Sequence, residues 1–100
     1  MFEIRIGEGG MVKLAGRLDA AEADRASEEL REIRDSVTLD CADLDYISSA
    51  GIGVLIEIFK RLQGSGHSVT LVNLLNENIM QHVFGDIIIG ANMYDNPSPN

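Results

Sequence analysis

Phe2, Ile4 and Ile6 alternate with polar residues in FEIRI, and MVKLA carries a second short apolar pattern. GEGG between them supplies turn residues, so the two runs predict a β-hairpin with room for a bulge. From Leu18 the period changes. Ala23, Ala26, Leu30 and Ile33 recur at helical spacing along LDAAEADRASEELREIRD. Asp19 is placed as the N-cap of this helix. Glu22, three residues on, completes a capping-box pair.

SVTLDCA is β-rich and reads as a central strand, followed by DLDYIS as a loop. From Ala50 to Gln63 the helical period returns, with Gly51, Val54, Leu55, Ile58, Phe59 and Leu62 on a broad apolar face. GSG at 64–66 ends that helix. HSVTLVNL is a further strand. NENIMQHVFG reads as a short helix with Asn76 as its cap and Ile79, Met80, Val83 and Phe84 buried. IIIGANMY is a last β-rich segment, and 95–100 is a frayed tail. The predicted order is β-β-α-β-α-β-α-β, an α/β sandwich with some parallel strands, in a single domain over residues 1–100.

Charge narrows the partners. Sixteen acidic residues against eight basic give −8. Nucleic acid and anionic membrane surfaces need clustered Lys and Arg, so neither is expected, and a basic protein surface fits better. Residues 19–35 carry seven acidic side chains and three arginines, which reads first as a solvated helix face. The absence of a signal-like start or a long apolar run leaves a cytoplasmic protein as the expectation.

Candidate chemistry is sparse. Cys41 is the sole cysteine, and its position after VTLD suits a buried structural thiol better than a nucleophile. His67 and His82 read as solvent-facing. Asp40, Asp43 and Asp45 form a thin metal hypothesis with no second ligand cluster. No phosphate loop or nucleophile elbow is present. Neither an enzyme nor a bound cofactor is expected.

That leaves Ser48 and Ser49, at the junction of a strand-like stretch and a helix. One reading is capping, since a serine hydroxyl accepts a hydrogen bond from an otherwise unpaired N–H at a helix start. The other is an accessible modification site. A phosphate there meets free N–H groups and the positive end of the helix dipole. Asp43 and Asp45 oppose it modestly by like charge. Gly51 and Gly53 leave space for a partner's backbone.

The stretch VTLDCADLDYISSAGIGVLIEIFKRLQGSGHSVTLVNL, with GRLDA upstream, closely resembles the STAS family of anti-sigma factor antagonists over roughly residues 2–94. The resemblance implies a mixed β-sheet with helices packed mainly on one face. Aligned on Gly51, it puts Ser49 at the family's phosphorylated serine. It implies partner switching without catalysis. The unphosphorylated protein binds an anti-sigma factor that is also an ATP-dependent serine kinase, and a sigma factor is freed. Phosphorylation breaks the complex, and a PP2C-type phosphatase restores it. ATP and magnesium belong to the kinase. Asp19, Asp45, Ser48, Ser49, Gly51 and Gly53 are expected to shape the docking surface.

Three departures qualify the resemblance. Ser48 stands where many members have Asp. Arg17 stands where an acidic residue is frequent. DNPSPN stops where many members continue into a helix. The nearest rival is a STAS interaction module in a two-component or lipid-transport pathway, with no phosphorylation. A rival of another class is a small enzyme or nucleotide-binding protein using the loop directly, which tight nucleotide binding and turnover in calorimetry would reveal.

Overall fold

A computed structural model describes residues 1–76 and Ile79. Strands β1 (Phe2–Ile6) and β2 (Met11–Leu18) form the expected hairpin. Helix α1 (Ala20–Leu30), strand β3 (Val37–Ile47), helix α2 (Ser49–Gly64) and strand β4 (Val69–Val72) follow. The expected third helix, last strand, tail and His82 lie outside the described residues, apart from the start of that helix at Asn76 and Ile79.

The four strands stand in sheet order β1-β2-β3-β4. β1 runs antiparallel to β2, whereas β2–β3 and β3–β4 are parallel. Parallel neighbours need a crossover, and α1 and α2 supply the two. Both crossovers step the same way across the sheet. With the usual right-handedness, both helices must then land on one face. They do: α1 packs on α2 and β2, and α2 on β3 and β4. Leu14, Leu18, Leu39, Leu55, Leu62 and Leu71 are almost wholly buried between sheet and helices. Cutting one such leucine to alanine typically costs about 2–5 kcal/mol.

DLDYI is strand, not loop. β3 is 11 residues long and buries Val37, Leu39, Cys41, Leu44 and Ile47. The spacing of buried residues changes from two to three after Cys41. The pairing with β2 gives the reason. Lys13↔Asp40 is followed by Ala15↔Asp43, and Gly16↔Leu44 by Arg17↔Tyr46. At each step β3 spends one residue more than β2. These are β-bulges, which restore the inward direction after an extra residue. Asp40 supports the first by accepting from the Ala42 N–H at 3.0 Å.

α1 is shorter than its apolar stripe. It stops at Leu30, and Ile33 packs half-buried in the following turn. Arg61 of α2 donates to the carbonyls of Leu30 and Ile33 at 2.9 and 2.8 Å. This satisfies groups that a helix end otherwise leaves open.

Candidate functional site

The parallel register places the site. Leu18 of β2 pairs with Ile47 of β3, so the next residue in each chain leaves the sheet at the same end. Those residues are Asp19, the N-cap of α1, and Ser48, the N-cap of α2. The Ser48 N–H donates to the Leu18 carbonyl at 2.9 Å and ties the two turns together. Beyond β4, Asn76 accepts from the Ile79 N–H at 3.3 Å and donates to the Asp45 carbonyl at 3.4 Å. The carboxyl ends of β2, β3 and β4 thus share one rim, the region where open α/β sheets place their ligands.

The two serines are not equivalent there. Ser48 has extended backbone (φ −95°, ψ 175°), is half-buried, and its Oγ accepts from the Gly51 N–H at 3.2 Å. Its carbonyl accepts from the Ile52 N–H at 2.9 Å. Capping is therefore the role of Ser48. Ser49 is the first residue of α2 and is exposed. A helix gives its first N–H groups no internal acceptor. A group added to the Ser49 oxygen would stand beside them, in the field of the helix dipole.

The glycines also part company. Gly51 is buried, and a Cβ there would lie 2.7 Å from the Leu18 carbonyl oxygen and 2.8 Å from Ile47 Cγ1. It lets α2 sit against the rim. Its backbone is covered by Leu18 and Ile47, whereas Ser49 and Ala50 at this rim are exposed. Gly53 is exposed, and a Cβ added to it would meet nothing within 4 Å. With Ala23 and Ala50 it floors an open groove between α1 and α2, flanked by Asp24, Arg31 and Glu57. Ser27 Oγ donates to Glu57 across the two helices at 2.6 Å.

Asp19 accepts from the Glu22 N–H at 3.2 Å, which is half of the expected capping box. The other half is not made. The Glu22 carboxylate binds Arg25 at 2.8 Å, and Arg25 in turn reaches Glu29 and the Phe2 carbonyl. An arginine one turn along outcompetes a backbone N–H for that carboxylate.

Asp45 and Tyr46 are exposed beside the rim. The Arg17 guanidinium stacks 4.3 Å above the Tyr46 ring, a contact that the hydrophobic pattern does not signal. It follows from the second β3 bulge, which brings Tyr46 opposite Arg17. The three aspartates suggested for a metal are engaged separately or apart. Asp40 binds Asn73 at 3.0 Å, Asp43 pairs with Lys13 at 3.1 Å, and Asp45 faces solvent. The Asn73 amide, ahead of the other causes, holds the Asp40 carboxyl below its usual range. Among the described residues no three His, Cys, Asp or Glu side chains converge on a metal position.

Cys41 is buried, and desolvation pushes its thiol up to about 12. This is the structural thiol expected. His67 is only half-exposed. Its Nε2 lies 3.8 Å from the Asp35 carboxylate, at the pole opposite the serines. Among the described residues no helix is long and apolar enough to cross a membrane.

The sequence matches the family model of the STAS domain over residues 3–84. No curated protein matches it in sequence. Among solved structures, a putative anti-sigma factor antagonist from Thermotoga maritima superposes with a TM-score of 0.74 at 23% identity, covering 97% of this chain and 88% of that one. The anti-sigma factor antagonist SpoIIAA in its unphosphorylated form gives 0.69 at 14% identity, covering 98% and 90%. The Bacillus cell fate determinant SpoIIAA in its phosphorylated form gives 0.70 at 15% identity, covering 98% and 92%. These likenesses establish a shared fold.

Proposed function

The chain belongs to the STAS domain family, and from that premise we propose that it is an anti-sigma factor antagonist switched by phosphorylation of Ser49. One observation carries the choice of residue. Of two adjacent hydroxyls, Ser48 is held as a helix cap and half-buried, while Ser49 is exposed at the first position of α2. The similar folds of SpoIIAA in both its unphosphorylated and phosphorylated forms support the reading.

In this scheme the unphosphorylated protein presents the rim to an anti-sigma factor with serine kinase activity. Asp19, Asp45, Ser48 and Gly53 shape the contact, and Gly51 sets the height of α2. The partner supplies ATP and magnesium, transfers a phosphate to Ser49 and is released. A PP2C-type phosphatase resets the switch in the cytoplasm. The protein itself catalyses nothing.

The physical logic separates folding from binding. On the free protein the phosphate is offset by the helix N-terminus, an interaction worth about 0.3–1 kcal/mol at an exposed site. In the complex the same charge is pressed against a surface already carrying Asp19 and Asp45. An unpaired buried charge costs several kcal/mol, roughly a 100-fold loss of affinity or more. A titration of the cognate kinase with the parent, Ser49→Asp and Ser49→Ala proteins tests this. Ser49→Asp is expected to fold and lose binding, and Ser49→Ala to bind and resist release by ATP. Parent-like binding by folded Ser49→Asp contradicts the switch.

A further inference from the structure

We propose that the outer edge of β1 pairs antiparallel with β1 of a second copy of this chain, about a two-fold axis through Ile4, so that Glu3 of each copy faces Arg5 of the other.

The strand's own hydrogen bonds show which groups are open. The Arg17 N–H donates to the Met1 carbonyl, and the Gly7 N–H to the Met11 carbonyl, so residues 1 and 7 face β2. In an antiparallel ladder, residues with both backbone groups toward the partner alternate with residues whose groups point away. Phe2, Ile4 and Ile6 therefore turn their N–H and C=O groups outward. Arg25 bears out the direction by binding the Phe2 carbonyl from outside the sheet. Among the described residues β1 has β2 as its only strand neighbour. A row of open backbone groups is a template for another strand.

The side chains select the occupant. On the face away from the helices, Arg5 stands directly opposite Lys13 of β2, a like-charge pairing. Lys13 is engaged with Asp43, and Arg5 has turned along its own strand to Glu3 at 2.9 Å. Among the described residues, no carboxylate stands across from Arg5 on its outer flank. Self-pairing about Ile4 supplies one twice, since Glu3 falls opposite the second copy's Arg5 and Arg5 opposite its Glu3. On the helix side the same register joins Ile4 to the second copy's Ile4. It also sets Ile6, 63% exposed, across from the second copy's Phe2. Ile4 then makes two backbone bonds with its own copy. The Phe2 carbonyl, already bound by Arg25, keeps a second lone pair for the Ile6 N–H of the other chain. A self-complementary strand of this kind gives a closed, isologous dimer rather than a fibre.

The edge is also short and charged, and the net charge of −8 opposes association. The contact is therefore weak and depends on the two Glu3–Arg5 pairs. It lies at the β1 edge of the sheet and does not use Ser49.

Sedimentation velocity of the full chain over a concentration series tests the proposal. The parent is expected to show a monomer–dimer equilibrium. Arg5→Glu sets Glu against Glu and is expected to weaken association by about tenfold or more. The double variant Glu3→Arg/Arg5→Glu restores the pairing with charges exchanged and is expected to dimerise like the parent. Circular dichroism checks that each variant is folded. A parent that stays monomeric throughout, or a double variant that fails to recover what Arg5→Glu loses, overturns the proposal.

Discussion

The Ser48 N–H donates to the Leu18 carbonyl at 2.9 Å, joining the N-cap of α2 to the last residue of β2. This bond extends the parallel β2–β3 ladder by one step beyond Leu18↔Ile47. The start of α2 is thereby fixed to the sheet, and Ser49 is presented on a rigid element. Consequences for stability and for the switch separate residue by residue.

Ser48 and Ser49 are expected to differ sharply on truncation. Ser48→Ala removes the acceptor for the Gly51 N–H and should cost about 1 kcal/mol, as other cap losses do. Ser49→Ala touches an exposed position and should stay within about 0.5 kcal/mol of the parent. Urea denaturation of the two variants reads both values.

Gly51 and Gly53 should respond in opposite directions. A Cβ at Gly51 meets the Leu18 carbonyl and the Ile47 side chain below 3 Å, so Gly51→Ala should destabilise by about 1–3 kcal/mol. Gly53→Ala places its methyl in open space on a helix interior and should stabilise by roughly 0.5–1 kcal/mol. The same denaturation series decides it. A neutral Gly51→Ala would mean that α2 does not sit as close to the rim as described.

The Asp40–Asn73 contact makes a prediction in acid. The folded carboxyl lies below its ordinary value of 3.8, chiefly because the Asn73 amide donates to it. A depressed carboxyl contributes stability that is present above the unfolded value and is lost as pH falls through the folded one. Asn73 has φ 60°, so Asn73→Gly removes the amide without straining the backbone. The stability gap between parent and Asn73→Gly should be full near neutral pH and shrink below about pH 3.8. Thermal midpoints across an acid series measure it.

Cys41 gives the alkaline counterpart. Its thiol is pushed from 9.0 to about 12 by burial, so it stays neutral and shielded in the folded protein. The unfolded chain ionises first, so this contribution is present below pH 9 and is lost as pH rises from 9 toward 12. A thiol reagent at neutral pH should label Cys41 only at the rate of unfolding. Rapid labelling of the native protein would contradict its burial.

Much of this is legible in the sequence, for identifiable reasons. The hairpin and the α2 face show because their apolar residues keep a strict period. Asp19 and Ser48 show because cap chemistry is local. DLDYI reads as a loop because two bulges turn the spacing of Cys41, Leu44 and Ile47 from two to three, and no local signal marks a bulge. The unmade half of the capping box stays hidden because Arg25 lies a turn further on and is itself held by Phe2, 23 residues away. Arg61 and the Arg17–Tyr46 stack stay hidden for the same reason. Each is a contact between elements that only the assembled sheet brings together.

The central claim is that Ser49, and not its neighbour, carries the phosphate. Peptide mass spectrometry after incubation with the cognate kinase and ATP tests it most directly. The predicted result is a single phosphate on Ser49, lost in Ser49→Ala and retained in Ser48→Ala. Phosphate on Ser48 with Ser49 clean would contradict the account.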